Sequence, residues 1–435
     1  MIPSKSGGQI YYATTDRSGG MSFSYAEQWL KQPGARALSL SLPLTNQRYE
    51  GAQVYNFFDN LLPDSENIRA RMQARFRINT GHPFDLLSVI GRDCIGAVQL
   101  YPPDISIPDV RSVHAEPVSD DAIAAMLAGY QQAPLGMTED SDFRISLAGA
   151  QEKTALLWHE EQWKRPVGST PTSHILKLPI GFLEPRNIDL RESNENEWLC
   201  LQILKGFGIP VADAQLLRFN EQSVLCVQRF DRRWSSDGSW LMRLPQEDFC
   251  QALGVAPALK YENEGGPGIE ACLKLLAGSQ NAEADRRTFF KSQILFWLLA
   301  AIDGHAKNFS LFIEPDSGYR MTPLYDVISA YPMMATGSLP AARAKMAMSQ
   351  KGRQRHYHWQ RMEPRHFIST AIETGFSTAT TRQLMQETAL LAERVIDAVR
   401  NQLPANFPPK IAEPIFTGVQ DHAEKLTEYL TDHSG

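Results

Sequence analysis

Residues 302–309 read IDGHAKNF, and the surroundings of this stretch decide how the chain is read. An apolar run, SQILFWLLAA at 292–301, precedes it, and a second, FSLFI at 309–313, follows. A polar loop with Asp303, His305, Lys307 and Asn308 therefore lies between two elements that must be buried. Its side chains are held at the edge of a core. A second acid, Asp326 in PLYDVIS, lies a short hairpin's length downstream.

Asp303 and Asn308 are five positions apart. Protein-kinase catalytic loops have this spacing: the Asp orients or deprotonates the acceptor hydroxyl and the Asn holds Mg²⁺. The motif DxxxxN is common, and a turn-capping Asp followed by an Asn at the start of a strand also produces it. Several features favour the kinase reading. His305 and Lys307 put charge beside Asp303, and Asp326 stands where a second metal ligand is wanted. Mg²⁺ needs only a few carboxylate or amide oxygens beside phosphate and water.

The chain has 435 residues, which suggests two or three domains or lobes. Its apolar content of 43% and charged content of 21% are ordinary for a folded protein. A net charge of −6 argues against a generally basic nucleic-acid binder. The five cysteines are scattered, with no CxxC or Cys/His spacing, which disfavours a zinc site or disulfide framework. The opening MIPSKSGGQIYYATT lacks the apolar core of a secretory signal. The most apolar run, 294–302, has nine residues against the ~20 needed to span a bilayer. No membrane association is expected, and a reducing cytoplasm is the simplest location.

In order, residues 8–25 read as a β-hairpin and 39–44 (SLSLPL) as a strand. A helix around 55–62 breaks at Pro63, and a second is capped by Asp64 or Ser65. The stretch 83–101 reads as a short helix, a turn and a strand ending near Tyr101, and 102–108 is a Pro-rich boundary. Residues 119–128 form an amphipathic helix stopped by Gly129. Two strand-like runs flank 148–150, then SHILKLPI gives a strand centred on Lys177 and NENEWLCLQILKG a helix. Strands follow in AQLLRF and SVLCVQRFDRRW. Helices then dominate, at 248–253, 269–276, 285–301, 364–373, 381–403 and 414–430. The fold class is α+β: a β-rich half followed by a mainly helical half carrying the polar loop, as in a two-lobed kinase. The divisions expected are 1–104, 105–138, 139–242 and 243–435.

Lys177 is an isolated lysine in an apolar strand. It is either an edge lysine facing solvent or the strand lysine that contacts nucleotide phosphates. Its apolar neighbours favour the second. Glu195 and Glu197 compete as its acidic partner. SLAGAQEK at 146–153 is either a tight hairpin or a phosphate-covering loop, since small residues at 148–150 let main-chain N–H groups approach phosphate oxygens. Lys153 is a possible second phosphate contact. GPGIEA at 266–271 fits GxGxxA formally, but KYENEG before it is no strand, so a dinucleotide site is rejected. The basic run 351–365 (KGRQRHYHWQRMEPR) reads as a solvated loop or a contact to nucleic-acid phosphates.

Longer strings carry a family resemblance: LSLSLPL, FFDNLLPDS, PFDLLSVIGRDCIGAV, DFRISLAGAQEKTALL, HILKLPIG, QRFDRRW, LPQED, GGPGI, DGHAKNFS and YDVISA. The chain resembles the HipA serine/threonine-kinase toxins of bacterial HipBA toxin–antitoxin modules over nearly its whole length. The resemblance implies a kinase-like fold whose β-rich N-lobe follows a small α+β N-terminal subdomain, ahead of a helical C-lobe. It implies ATP and Mg²⁺ as cofactors and phosphorylation of protein serine. By motif match, Asp303 is catalytic, and Asn308 and Asp326 hold metal. Ala148, Gly149, Ala150, Gln151, Glu152, Lys153, Lys177, Gln228, Arg229, Phe230, His305, Ala306, Lys307, Asn308, Tyr325 and Asp326 line the ATP site. Ser146 matches a serine that family members phosphorylate on themselves, which turns the enzyme off by displacing the phosphate loop. The implied partners are a HipB-like helix-turn-helix dimer, operator DNA through that complex, and a protein substrate, of which glutamyl-tRNA synthetase is the best known in the family. The chain departs from the family's common ERF in reading Gln228-Arg229-Phe230, and its C-terminal helical region is divergent. The rival functions are a non-catalytic co-repressor and a small-molecule phosphotransferase.

Overall fold

Apolar and polar residues alternate near the N-terminus, and Tyr11–Thr15 pairs antiparallel with Met21–Tyr25. The computed structural model describes residues 11–15, 19–102, 105, 109–129, 145–149, 151–184 and 187–433. Two compact units result. The first comprises Met1–Leu178, Asp213–Ala258 and Ser310–Tyr319; the second comprises Pro179–Ala212, Leu259–Phe309 and Arg320–Gly435. The mixed strands and helices make an α+β fold.

In the first unit, the hairpin and the helices Ala52–Asp59, Glu66–Phe76 and Pro83–Ile90 enclose one core. Phe23, Phe57, Phe58, Leu86 and Ile90 fill it. The Ser65 hydroxyl caps the second helix, accepting from Ile68 N. Ile145 and Leu147 also belong to this core, so the stem of the glycine-bearing loop is buried in it. A six-stranded antiparallel sheet follows in the order Ala214–Phe219, Gln222–Gln228, His174–Lys177, Lys153–His159, Gln162–Pro166, Ala115–Pro117. The helix Asp120–Ala128 lays Ile123 and Leu127 on Leu156, Leu176, Phe219 and Val224 of that sheet. Ser119 caps it and Gly129 ends it.

Two expected strands do not form. Residues 39–42 make a tight turn with only a Ser39–Leu42 bridge. Pro43 has no N–H to extend a ladder, and the Ser39 and Ser41 hydroxyls donate instead to Gln251 O. Residues 95–101 are irregular because their polar groups are claimed by side chains. Gly96 N donates to Asp231 Oδ2 at 2.7 Å, and a Cβ on Gly96 would lie 2.6 Å from Gln246 O.

In the second unit, Ala282–Leu298 is the central helix, with Phe289, Phe290, Leu295, Phe296 and Trp297 buried. It packs on Ile269–Leu276, Thr378–Arg400 and Pro409–Asp432, and Thr378–Arg400 also packs on Ser193–Gly206. The last helix starts at Pro409 rather than at Pro414, because burial of Ile411 and Ala412 draws the preceding turn into it. The basic run 351–365 is not a free loop. Arg355–His358 pairs with Lys345–Lys351, and the charges find local acids: Lys351 with Glu373 at 3.3 Å, Arg355 with Glu262 at 3.0 Å and Arg365 with Glu363 at 2.8 Å. Among the described residues no helix is long and apolar enough to cross a membrane. All five cysteines are buried free thiols.

Glu247 is fully buried in the first unit. Its Oε1 accepts from Leu40 N at 2.8 Å, whereas Oε2 has no hydrogen-bond partner among the described residues. Burial pushes its carboxyl up to about 8, opposed by the nearby Ser39 hydroxyl and the Leu40 N–H, with Asp248 adding repulsion. The folded state therefore keeps a proton that the unfolded chain gives up near pH 4.5. Between pH 4.5 and 8 this group should remove roughly 1.4 kcal/mol of stability per pH unit, with no further loss above the folded value. Urea melts of wild type and Glu247→Gln across this range should diverge with that slope, and parallel profiles would refute it.

Candidate functional site

The candidate residues fall on both units. In the first, strand alternation and register bring Lys153 and Lys177 together. They are Cα partners in the antiparallel pairing of Lys153–His159 with His174–Lys177, so their side chains leave the same sheet face. Both are buried, at 8% and 7% exposure. Directly opposed like charges repel, and an anion between them converts that repulsion into attraction. Gly149 lies over the same place. Its φ is +108°, and a Cβ there would stand 2.6 Å from Lys153 Nζ. Only a glycine lets the loop's main chain come so near the ammonium group.

The loop around Gly149 is tied to the N-terminal helices. Asp64 N donates to Gly149 O at 3.0 Å, and Ser146 N to Asp93 O at 3.1 Å. The Ser146 hydroxyl is wholly buried and donates to Leu61 O at 2.7 Å. Gln151 Nε2 donates to Leu178 O at 2.5 Å, and Glu152 forms an ion pair with Arg71. Ala148 and Gly149 precede Ala150, which lies outside the described residues.

Within the Gln228-Arg229-Phe230 stretch the three side chains differ in surroundings. Gln228 is exposed, and the Phe230 ring stands edge-on to Phe312 with centroids 5.8 Å apart. Arg229 does not turn its side chain to a ligand. Its guanidinium is 1% exposed and bonds Asp231, Asp93, Thr172 and Cys94 O. Arg232 and Arg243 share Asp93 with it. Burial alone would raise the Asp93 carboxyl, but the three guanidinium groups and Thr172 outweigh it and hold it well below the usual carboxylate range.

In the second unit, the turn after Ala282–Leu298 presents Asp303. A Cβ on Gly304 would lie 2.6 Å from the Phe296 ring, so this glycine lets the loop descend onto the core. Asp303 is exposed, while His305, Ala306, Lys307 and Asn308 are buried. Asn308 Nδ2 donates to Asp303 O at 2.9 Å and to Asp326 O at 3.4 Å. One amide thus gathers the three residues picked out by spacing. Asp326 has φ +60°, an uncommon conformation for a non-glycine residue. Tyr325 OH donates to Lys307 O at 2.9 Å. Beyond Asp326, Asn196 bonds the main chain of Ser329 in both directions at 2.8 Å, fastening that segment to the helix Ser193–Gly206. On that helix Glu197 is buried, and Glu195 is half-buried with its carboxyl raised by burial.

Asn308 spends its NH₂ on main-chain carbonyls, which reserves its side-chain oxygen. That oxygen and the Asp326 carboxylate are hard donors of the kind Mg²⁺ takes. The residues present therefore fit the metal that the spacing suggested.

Residue spacing does not reveal Tyr261, whose hydroxyl donates to Asp303 Oδ1 at 2.6 Å, or Asn196. Asn196 was concealed among the acids of NENEW. For Tyr261 the available signal was the cluster of glycines at 265–268.

Two family models match the chain: HipA N-terminal domain over residues 6–101 and HipA-like C-terminal domain over residues 145–402. Protein Y4mE of Sinorhizobium fredii is 34% identical over 339 residues, covering 77% of each chain. The serine/threonine-protein kinase toxin HipA of Shewanella oneidensis is 27% identical over 316 residues, covering 70% of this chain and 69% of its own. A chain of the solved complex of HipA, HipB and operator DNA from Shewanella oneidensis aligns with TM-score 0.79 at 21% identity, over 97% of this chain and 96% of that one. That likeness establishes the fold.

Gly149→Ala tests whether the close approach of this loop to Lys153 serves phosphate binding. The new methyl must displace Lys153 and holds a strained φ, so affinity for ATP should fall roughly tenfold, with a fold cost of about 1 kcal/mol. Calorimetric titration giving wild-type affinity would count against this loop as a phosphate cradle.

Proposed function

Because this chain belongs to the HipA family, we propose that it is a protein kinase that transfers the γ-phosphate of ATP, with Mg²⁺, to a protein serine, and that it acts as the toxin of a toxin–antitoxin pair. The observation that carries this reading is the Asn308 amide, which bridges the main chains of Asp303 and Asp326. It sets an acceptor-facing acid beside two oxygen donors for a metal.

Each residue then has a physical task. Lys153 and Lys177 offset phosphate charge, and the Gly149 main chain approaches the phosphate oxygens. Asp303 orients the acceptor hydroxyl and takes its proton. Asn308 Oδ1 and the Asp326 carboxylate would hold Mg²⁺, which when bound neutralises charge on the transferred phosphoryl group. Transfer of this kind needs little besides position and charge.

Ser146 fits the role of an autophosphorylated switch. Its oxygen is wholly buried against Leu61 O, where a phosphate of charge −1.5 to −2 has neither room nor solvent. Modification would keep the loop out and remove Gly149 from Lys153. The family supports a HipB-like helix-turn-helix dimer as antitoxin, operator DNA as the ligand of that complex, glutamyl-tRNA synthetase as acceptor, and the cytoplasm as site of action. A co-repressor without catalysis would not need Asp303, Asn308, Asp326 and both lysines together. A small-molecule phosphotransferase would use the same residues, and labelled ATP in a cell lysate separates the two by the product labelled.

Asp303→Asn and Asp326→Asn should each abolish phosphate incorporation, by at least about 10²-fold, without changing the melting temperature. Incorporation at the wild-type rate in either purified variant refutes the assignment. Ser146→Ala should stay unmodified after incubation with ATP and remain toxic on expression. An added phosphate on that variant, seen by intact-mass spectrometry, would show that another residue is the switch.

A further inference from the structure

The GGPGI string at 265–269 is explained by neither a dinucleotide site nor phosphate binding. The structure gives it a steric role. A Cβ on Gly266 would lie 1.9 Å from Leu259 O, and one on Gly268 would lie 2.4 Å from the Glu262 carboxyl carbon. Both glycines let the chain fold back on residues 259–262. Glu262, buried at 9% exposure, is fixed from three sides: Ser349 N at 2.6 Å, Ser349 Oγ at 3.0 Å and Arg355 at 3.0 Å. Tyr261 O accepts from Glu264 N at 3.1 Å and Gly266 N at 2.9 Å, and Lys260 O accepts from Ala306 N at 3.4 Å. The bracket thus holds Tyr261 rigidly and ties it to the polar loop.

Tyr261 stands edge-on to His305, with centroids 5.0 Å apart at 82°. Its hydroxyl donates to Asp303 Oδ1 at 2.6 Å. The Asp303 carboxylate is exposed, and among the described residues Tyr261 is the side chain that holds it, so this contact selects its rotamer. With Oδ1 occupied, Oδ2 is the oxygen left to receive a proton.

We propose that Tyr261 is a positioning residue for phosphoryl transfer, its phenol fixing the Asp303 carboxylate so that Oδ2 faces the acceptor hydroxyl. The inference rests on the kinase reading above. In the step it serves, the acceptor oxygen bonds to the γ-phosphorus and its proton passes to Oδ2. The bond from that phosphorus to the β–γ bridging oxygen breaks, and ADP leaves with the electron pair. Tyr261 exchanges no proton and touches neither substrate. The bracket 259–269 exists, on this reading, to deliver one hydroxyl to one oxygen.

The test measures transfer from labelled ATP to protein, both the chain itself and a desalted lysate, as a function of ATP concentration. Tyr261→Phe keeps the ring against His305 and removes the hydroxyl. It should lower the saturating rate roughly 10- to 100-fold, leave half-saturation by ATP within about twofold, and leave the melting temperature unchanged. Tyr261→Ala should lose the same rate, because the hydroxyl and not the ring is responsible. A wild-type saturating rate in Tyr261→Phe overturns the inference and leaves the kinase reading intact, provided Asp303→Asn is inactive. A rate loss accompanied by an equal rise in half-saturation also overturns it. A wild-type chain that labels no protein overturns both.

Discussion

Asp93 is the constraint on which the first unit depends. Its carboxylate receives Arg229, Arg232 and Arg243 together with Thr172, and its main-chain oxygen receives Ser146 N. One residue therefore binds the 228–232 linker, the Leu241–Arg243 strand and the loop that carries Gly149. Asp231 supplies the second carboxylate, so three guanidinium groups share two acids in a solvent-free place. Burial lowers Arg232 to about 10, helped by its cationic neighbours and opposed by the two acids. Removing one member of such a network typically costs about 3–5 kcal/mol, because the others are left buried without their counter-charge. The network explains why the Arg229 guanidinium is wholly engaged within the architecture.

The same economy governs the loop above the lysines. Ile145 and Leu147 point into the N-terminal core, and Ser146 between them bonds Leu61 O. Strand-like alternation places the only polar side chain of the three against a carbonyl that needs a donor. The loop is therefore held by packing that tolerates no added charge on that one oxygen. In the second unit the comparable anchor is Asn196, whose amide satisfies both main-chain groups of Ser329 and fixes the exit of the Asp326 turn.

Much of this was legible from residue order. The helices Ile269–Leu276 and Pro364–Glu373 have the bounds that their apolar periodicity predicts, and Ser119 and Gly129 mark the limits of Asp120–Ala128. Asp303 and Asn308 stood out by their five-residue spacing and Asp326 by lying a short hairpin's length downstream, and the structure brings the three together. The strand expected at 39–44 failed, since local alternation does not reveal that serine hydroxyls and a buried carboxylate claim the backbone there. The run 351–365 read as a solvated loop or a contact to nucleic-acid phosphates because its acid partners, Glu262, Glu270 and Glu373, are remote in sequence or on a different element.

By itself the sequence determined the α+β class, the order of strands and helices, the polar loop between two apolar runs, and the residue types available for phosphoryl transfer. These follow from periodicity, capping and short-range spacing, which are properties of neighbouring residues. Only the tertiary structure decided that Lys153 stands opposite Lys177, that Arg229 is consumed by Asp93 and Asp231, and that Tyr261 reaches Asp303. Register, buried charge pairing and the approach of remote loops depend on which surfaces exclude water together. The polar loop at 302–309 was visible as a motif, but the groups that aim it, Asn308 on two carbonyls and Tyr261 on one carboxylate oxygen, come from contacts that no local pattern encodes.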